Sequence, residues 1–373
     1  MDTVKFLSAI EDLGVDFYTG VPDSLISPLI DSIINKYGIS SNHIIAANEG
    51  AAVGLAAGHY LATSKPALVY MQNSGIGNAV NPICSLLHEN VYAIPVVFVI
   101  GWRGEPGVKD EPQHIFQGKT TLSMLDCLEL PYAIISDETS DLSSHIADFK
   151  KHLDCGRSVA FVIRKDAFSG GEKNLYASEA EMSREHALKM VLSASKPNDI
   201  FVCSTGKLSR EVFEIREQEN TGHSRDFLTV GSMGHSLMIA YGIALRKPDK
   251  RIFCLDGDGA VLMHMGNLAL AGANNPPNLV HVVINNGAHE SVGGMPTVST
   301  SFNLCDVASA LGYKHSFRVT TQSECLSVSE KITGLNGAIF IEIMCNLESR
   351  TDLGRPTTSP VQNKNELMAA LRE

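Results

Sequence analysis

The sequence is poor in the features that tie a protein to nucleic acid or to a membrane. Its 373 residues include 30 lysines and arginines against 41 aspartates and glutamates, which gives a net charge of −11. A basic surface of the kind that binds nucleic acid is therefore not predicted. The longest apolar stretches, at 51–62 and 94–100, are far shorter than the roughly 20 residues of a membrane-spanning helix. We expect neither a nucleic-acid partner nor a membrane.

Paired cysteines are also missing. The eight cysteines are scattered, and none belongs to a CxxC pair. This pattern argues against a zinc site and against the disulfide framework of a secreted domain. The start of the sequence, MDTVKFLSAI, lacks the charged and apolar regions of a secretory signal. Together these absences predict a cytoplasmic protein.

Short apolar runs that alternate with helix-length segments are abundant instead. At roughly 150 residues per domain, the length predicts about two domains. Near-continuous apolar runs are typical of strands that are buried on both faces of a parallel sheet, and their alternation with helices predicts two doubly wound, mostly parallel α/β domains. The predicted strands lie at 17–19, 43–46, 67–71, 96–100, 159–163, 200–203, 227–230, 252–255, 280–284 and 338–343.

A polar, glycine-containing stretch interrupts this alternation near the middle of the chain. We predict a first α/β domain at 1–168, a linker at 169–185 and a second α/β domain at 186–373. The second domain is expected to end in a polar tail from 348, with a short helix from about 364.

The strongest motif places acidic and amide side chains after two consecutive strands of the second half. Residues 255–259 read LDGDG and residues 285–286 read NN. The 25 residues between the motifs leave room for a helix over about 262–273 and for the next strand. Because the carboxyl ends of parallel strands share one edge of a sheet, Asp258 and Asn286 are predicted to lie together where ligands bind. Their oxygen atoms suit Mg²⁺, and the glycines allow the backbone to approach phosphate groups.

Other interpretations of these motifs are weaker. Either motif alone is typical of a simple turn, and it is their joint spacing that favours a ligand site. An EF-hand would need an oxygen ligand and a glycine where the sequence has Ala260 and Val261. The stretch GIGNAV at 75–80 lacks the third glycine of a dinucleotide-binding fingerprint, which argues against a dehydrogenase.

The GDG motif followed by NN resembles the cofactor-binding motif of the thiamin diphosphate enzymes. The resemblance implies thiamin diphosphate and Mg²⁺ as cofactors, with Asp258, Asn286 and the carbonyl of Ala288 as metal ligands. The segment TVGSMGH at 229–235 resembles the region that supports the cofactor, with Met233 between its two rings. The cofactor-binding residues implied in this way are Glu49, Asn73, Thr205, Gly206, Gly231, Ser232, Met233, Gly257, Asp258, Gly259, Ala260 and Asn286.

Glu49 follows a predicted strand and begins an Ala/Gly-rich segment at 49–58. From the residues alone, it could be an acid–base group or could simply favour a helix N-terminus. The stretch resembles the family pattern that carries the glutamate beside N1′ of the cofactor's aminopyrimidine, which implies a catalytic role in generating the nucleophilic ylid. The resemblance also implies at least a homodimer, with sites at the subunit interface, and no central third domain.

Three further segments, at 20–24, 72–78 and 100–114, together with these motifs resemble the phosphonopyruvate decarboxylases over nearly the whole chain. The implied reaction converts 3-phosphonopyruvate to 2-phosphonoacetaldehyde and CO₂ in phosphonate biosynthesis. Two alternatives remain open, which are a sulfopyruvate decarboxylase and a non-catalytic thiamin diphosphate-binding regulator. The implied catalytic residues are Glu49, Asp23, His114 and His289, and the implied substrate-binding residues are Asp23, Ser24, Arg103 and Lys109.

Overall fold

The computed structural model describes residues 1–174, 176 and 178–373. The chain divides into two compact units, Met1–Leu175 and Tyr176–Glu373. The division lies inside the stretch predicted as a linker, of which residues 175 and 177 lie outside the described residues. Helix α7 begins at Arg184, within that predicted linker.

The first unit contains a parallel sheet whose inner strands are almost fully buried. Its strands are β1 (Tyr18–Gly20), β2 (His43–Ile45), β3 (Ala67–Gln72), β4 (Val96–Gly101), β5 (Tyr132–Ile135) and β6 (Val159–Ile163), and its α-helices are α1 (Thr3–Glu11), α2 (Ser27–Tyr37), α3 (Glu49–Thr63), α4 (Ile76–Pro82), α5 (Pro112–Cys127) and α6 (Ser143–Asp154). The six strands are ordered β2-β1-β3-β4-β6-β5. Because β4 and β6 are buried at every residue, both faces of the sheet must be covered by helices, as in doubly wound proteins.

The second unit contains a second parallel six-stranded sheet, ordered β13-β14-β10-β9-β7-β8, and a two-stranded antiparallel ribbon of β11 and β12. Its strands are β7 (Ile200–Cys203), β8 (Asp226–Leu228), β9 (Ile252–Gly257), β10 (Leu279–Asn285), β11 (Ala288–His289), β12 (Met295–Pro296), β13 (His315–Val319) and β14 (Ile339–Met344). Its α-helices are α7 (Arg184–Ser193), α8 (Lys207–Glu219), α9 (Ser236–Arg246), α10 (Asp258–Met263), α11 (Gly266–Asn274), α12 (Leu304–Ala310), α13 (Gln322–Lys331) and α14 (Pro360–Ala370).

The two six-stranded sheets have the same topology. When each is numbered from its own first strand, both follow the order 2-1-3-4-6-5. The predicted fold class, two doubly wound parallel α/β units, is confirmed. In the described part of the chain, no helix combines the length and the apolar character that a membrane crossing requires.

Three local predictions differ from the structure. The sequence prediction omits β5 and β13, because each lies at a sheet edge and carries partly exposed side chains in place of a continuous apolar run. The single helix expected over about 262–273 is two helices, since the backbone leaves the helical conformation at His264 (φ −135°, ψ 50°). Helix α14 begins at Pro360, earlier than predicted, because the Ser359 side chain caps it.

The carboxyl ends of adjacent strands carry most of the residues predicted to form the site. In the first unit, the segments that follow β2, β1, β3 and β4 contain, in that order, Glu49, Asp23, Asn73 and Arg103. In the second unit, the segments that follow β10, β9, β7 and β8 contain Asn286, Asp258, Thr205 and Gly231.

Candidate active site

Two neighbouring strands of the second unit bring the predicted metal ligands together. β9 and β10 pair in parallel, with Gly257 beside Ile284. Asp258 and Asn286 therefore follow two adjacent strands at the same sheet edge. Ala288, whose carbonyl is the third predicted ligand, opens β11 beside Pro296, a residue that has no N–H to donate to that carbonyl.

Asp258 is a buried carboxylate that is held by hydroxyl groups. It is only 2% exposed, and its Oδ2 atom accepts hydrogen bonds from Thr297 Oγ1 at 2.5 Å and from Ser299 Oγ at 2.9 Å. Burial raises the pKa of Asp258 to about 6, although the Thr297 and Ser299 hydroxyls oppose this shift. A carboxylate in this position is poorly stabilised without a cation.

The Asn286 side chain is oriented by its neighbours. Its Nδ2 atom donates to Glu290 Oε2 at 2.8 Å, and its Oδ1 atom accepts from the backbone N–H of Ala288 at 3.2 Å. Burial by itself would raise the pKa of Glu290, but the charges of Arg184 and Lys207 hold that pKa below its usual range. Glu290 therefore remains a charged acceptor for the Asn286 amide.

The residues in this edge fit Mg²⁺ and a diphosphate. A carboxylate, an amide oxygen and a backbone carbonyl are the hard oxygen donors that Mg²⁺ prefers. Apart from its two chain neighbours, no described residue has a heavy atom within 4 Å of a Cβ atom added at Gly257, so there is open space beside the candidate ligands. Gly206, at the start of α8, has a φ of +99° that favours glycine, and Ser291 lies beside it.

Met233 and His289 both lie beside Gly259, where a Cβ atom would be 3.4 Å from Met233 Cε and 3.0 Å from His289 Nδ1. His289 is 9% exposed, and burial lowers its pKa to about 4, so its imidazole is neutral near pH 7. The preceding residue of the Met233 loop, Ser232, has a φ of +53°, and Gly234 approaches the carbonyl of Ala260. The structure thus places the predicted cofactor residues Met233 and Gly259 beside the predicted catalytic residue His289.

In the first unit, Glu49 is a buried acid at the start of α3. It is 5% exposed, and the Asn48 side chain caps the helix by accepting from the Ala51 N–H at 2.8 Å. Asn78 Nδ2 donates to Glu49 Oε2 at 2.7 Å. A Cβ atom at Gly75 would overlap Glu49 Oε1, so the absence of a side chain at residue 75 leaves room for the acid.

Asp23 is a second buried acid of the first unit and is fully shielded from solvent. Gln72 Nε2 donates to Asp23 Oδ1 at 2.7 Å, and the Leu25 N–H donates to Oδ2 at 3.1 Å. Burial raises the pKa of Asp23, although Gln72 and Arg103 oppose the shift. The raised pKa favours a group that can hold a proton, as an acid–base role requires.

Arg103 forms a bidentate ion pair that the sequence analysis missed. Its Nε atom donates to Asp110 Oδ2 at 2.8 Å, and its Nη2 atom donates to Oδ1 at 2.6 Å. Its Nη1 atom donates to Ser24 Oγ at 3.0 Å. The structure therefore brings Ser24 and Arg103 together, close to Asp23, whereas Lys109 is an exposed side chain of the same loop.

His114 reaches this region because α5 packs closely on the turn after β4. Gly104 and Gly118 allow this approach, since a Cβ atom at either one would overlap the other segment's backbone. His114 Nδ1 is buried and has no hydrogen-bond partner among the described residues. Burial and the charge of Arg103 lower the pKa of His114, so the ring is available as a neutral base.

Asn73 lies at the same edge, but its side chain is engaged within the unit. Its Nδ2 atom donates to the Arg103 carbonyl and to Thr121 Oγ1, both at 2.8 Å. These bonds give Asn73 a structural role in holding the turn after β4, and its predicted contact with a cofactor stays a prediction. Sequence motifs did not predict the polar partners Gln72, Asn78, Asp110, Glu290, Thr297 and Ser299.

Two family descriptions match the chain over most of its length. "Thiamine pyrophosphate enzyme, N-terminal TPP binding domain" matches residues 5–124. "Thiamine pyrophosphate enzyme, C-terminal TPP binding domain" matches residues 204–343. Thiamine pyrophosphate is another name for thiamin diphosphate, and the two intervals contain Glu49 and Asp258 respectively.

Curated relatives match over nearly the full chain. The phosphonopyruvate decarboxylase of Streptomyces viridochromogenes is 32% identical, with 95% of this chain and 91% of the relative covered. The phosphonopyruvate decarboxylase of Streptomyces hygroscopicus is also 32% identical, with 95% and 90% covered. The sulfopyruvate decarboxylase of Methanosarcina acetivorans is 24% identical, with 91% and 90% covered.

The raised pKa of Asp258 predicts how stability depends on pH when no divalent cation is bound. Because the folded protein holds this proton more tightly than the unfolded chain does, its contribution is present at low pH and is lost as the pH rises through about 6. Relative to an Asp258→Asn variant, the wild type should lose about 2–3 kcal/mol between pH 4 and pH 7. Chemical unfolding in EDTA measures this difference, and parallel curves for the two proteins would contradict it. Mg²⁺ with thiamin diphosphate should restore stability at pH 7 to the wild type only.

Proposed function

The chain belongs to the phosphonopyruvate decarboxylase family of thiamine pyrophosphate enzymes, and we propose that it converts 3-phosphonopyruvate to 2-phosphonoacetaldehyde and CO₂ with thiamin diphosphate and Mg²⁺. The observation that carries the proposal is that a buried, oriented acid follows a strand at the carboxyl edge of each six-stranded sheet. Glu49 is 5% exposed and Asp258 is 2% exposed, and each lies within the interval that matches a thiamin diphosphate-binding domain.

The roles of the residues follow from their contacts. Thiamin diphosphate, when bound, supplies an electron sink for the carbanion that remains as CO₂ departs. We propose that Asp258, Asn286 and the Ala288 carbonyl hold Mg²⁺ against the diphosphate. The Asn78 amide engages Glu49 Oε2, which leaves Oε1 to share a proton with the aminopyrimidine.

The charged cluster of the first unit supports recognition of an anionic 2-keto acid. Arg103 can offer its remaining N–H groups to an anion while Asp110 fixes the plane of the guanidinium group. Lys109 is exposed on the same loop and can move toward a second anionic group. Asp23 and His114 are proposed to exchange protons with the substrate, since Asp23 has a raised pKa and His114 a lowered one.

We propose that the enzyme is at least a homodimer with sites at the subunit interface. Helix α3, which begins at Glu49, presents small and apolar side chains to solvent. This exposed stripe consists of Ala51, Gly54, Leu55, Gly58, Leu61 and Ala62. Apolar side chains such as Leu61, which is 73% exposed, favour contact with a second copy. The eight cysteines are free thiols, which supports a cytoplasmic location.

Release of CO₂ tests the substrate. Purified protein with thiamin diphosphate and Mg²⁺ should release CO₂ from 3-phosphonopyruvate with a kcat/KM at least tenfold above that for 3-sulfopyruvate. The reason is that the second negative charge of the phosphonate group strengthens its pairing with Arg103 and Lys109. Pyruvate and a reaction without thiamin diphosphate are the controls. A preference for sulfopyruvate would overturn the proposed substrate, and no cofactor-dependent release from any of the three would overturn the decarboxylase function.

Replacing the proposed proton-sharing acid should separate chemistry from binding. We expect Glu49→Gln to lower kcat by about 10²–10⁴-fold, because an amide cannot supply the carboxylic proton. Retention of thiamin diphosphate in equilibrium dialysis should change little. Asp31→Asn is the matched control, since Asp31 is another buried acid of the first unit, 7% exposed, and bonded to Asn174. Full activity in Glu49→Gln would contradict the assigned role.

The exposed stripe of α3 predicts the oligomeric state. Light scattering should give a mass of at least twice 40.2 kDa for the wild type. Leu61→Glu should lower that mass and reduce decarboxylation together, because a charge at an apolar contact opposes association. Val4→Glu, at a position that is 66% exposed in α1, should change neither. A monomeric, active wild type would rule out sites that depend on the interface.

A further inference from the structure

We propose that Glu290 is a positioning residue that keeps the side-chain oxygen of Asn286 turned toward Mg²⁺, and that Arg184 and Lys207 hold Glu290 for this purpose. The inference deepens the proposed function and rests on it. Glu290 contacts the proposed ligand Asn286 and is not itself proposed as a ligand of Mg²⁺.

An asparagine can bind a cation only through its oxygen. The amide group of Asn286 ends in one acceptor and one NH₂ group of almost the same size, so a half-turn of the side chain would present two N–H donors to Mg²⁺. The Nδ2 atom of Asn286 donates to Glu290 Oε2 at 2.8 Å. A hydrogen bond to a charged acceptor is stronger than one to a neutral group, so Glu290 favours the orientation in which the oxygen faces away from it. The Ala288 N–H, which donates to Asn286 Oδ1 at 3.2 Å, favours the same orientation.

Glu290 is itself held by two basic side chains, because Arg184 donates to Oε2, the oxygen that also accepts from Asn286, and Lys207 donates to Oε1. Its side chain is 9% exposed and bonds Arg184 Nη1, whose side chain is 8% exposed. Lys207 Nζ lies 2.9 Å from Glu290 Oε1 and 2.7 Å from Ser349 Oγ. Arg184 is anchored in turn by Glu211, through Nε at 2.6 Å and Nη2 at 2.7 Å. The carboxylate therefore has little freedom to follow the Asn286 amide if that amide turns.

A simpler electrostatic role is distinguishable from positioning. Glu290 and Glu211 carry two negative charges that balance the two positive charges of Arg184 and Lys207. Removing the charge of Glu290 would leave an excess positive charge near the cation. Such an electrostatic effect would weaken Mg²⁺ binding whichever residue occupies position 286. Positioning, in contrast, matters only for a side chain whose two terminal atoms differ, as the oxygen and nitrogen of an amide do.

A double-mutant cycle with Asn286→Asp separates the two roles, because both oxygens of a carboxylate can bind Mg²⁺ and orientation ceases to matter. The readout is equilibrium dialysis of thiamin diphosphate, from which the Mg²⁺ concentration for half-maximal retention is obtained. With Asn286 present, Glu290→Gln should raise that concentration by about 10- to 100-fold. In the Asn286→Asp background, Glu290→Gln should lower it or leave it unchanged, because it removes repulsion between two adjacent carboxylates.

Asp226→Asn is the matched control for disturbing a buried ion pair. Asp226 is fully buried and accepts from Arg216 at 3.0 Å twice, but it begins β8 at the opposite end of the strand from the site. The Asp226→Asn substitution should lower thermal stability and leave the Mg²⁺ requirement of the protein unchanged.

Each remaining outcome decides the matter. Provided that the wild type retains thiamin diphosphate, three results would overturn positioning. They are an unchanged Mg²⁺ requirement in Glu290→Gln, an equal rise in the Mg²⁺ requirement in both backgrounds, and no retention of thiamin diphosphate by Asn286→Asp with either residue at 290. Failure of the wild type to retain thiamin diphosphate with Mg²⁺ would instead overturn the proposed function, and this inference with it.

Discussion

The second unit buries the carboxylate of Asp258 without a salt bridge from any described side chain, and this is the constraint on which its site depends. Asp258 is 2% exposed, and its described hydrogen bonds come from the Thr297 and Ser299 hydroxyls and from backbone groups. These donors fix one oxygen but supply no positive charge, and the pKa of the group is raised to about 6. A bound divalent cation offsets that cost. The surrounding polar groups hold the carboxylate of Asp258 and the amide of Asn286 in fixed orientations.

The hydrogen bonds around Asp258 extend to β14 through a series of side chains. Ser299 Oγ lies 2.8 Å from Asn285 Oδ1, which shares the single hydroxyl proton with Asp258, and Asn285 Nδ2 donates to Glu342 Oε1 at 2.8 Å. The two asparagines of the NN motif therefore have different roles. Asn285 ties the hydroxyl that holds Asp258 to β14, and Asn286 faces the proposed cation with its amide turned by Glu290. The NN motif therefore contains one residue that supports Asp258 and one residue that is proposed to bind the cation.

The sequence predicts the strands and site residues that are marked by a local pattern, either a run of apolar residues or a glycine and acid motif. Inner strands such as β4 and β10 are continuous or nearly continuous apolar runs, and the glycine and acid motifs that follow the inner strands locate the site residues at the sheet edges. Edge strands β5 and β13 lack that signal, because their outer side chains face solvent. The partners of the site residues were missed for another reason. Asp110, Thr297 and Glu290 are ordinary polar residues in loops, and only the folded backbone brings them to Arg103, Asp258 and Asn286.

The shared strand order of the two sheets has a consequence for ancestry. Strand order is set by the chain connections, and changing it requires a connection to cross the sheet, whereas loop side chains can be exchanged one at a time. After β3 the first unit has Asn73, and after the corresponding β9 the second unit has Asp258. Two descendants of one tandemly copied gene would diverge in this way, keeping an architecture in common long after their sequences had ceased to resemble each other.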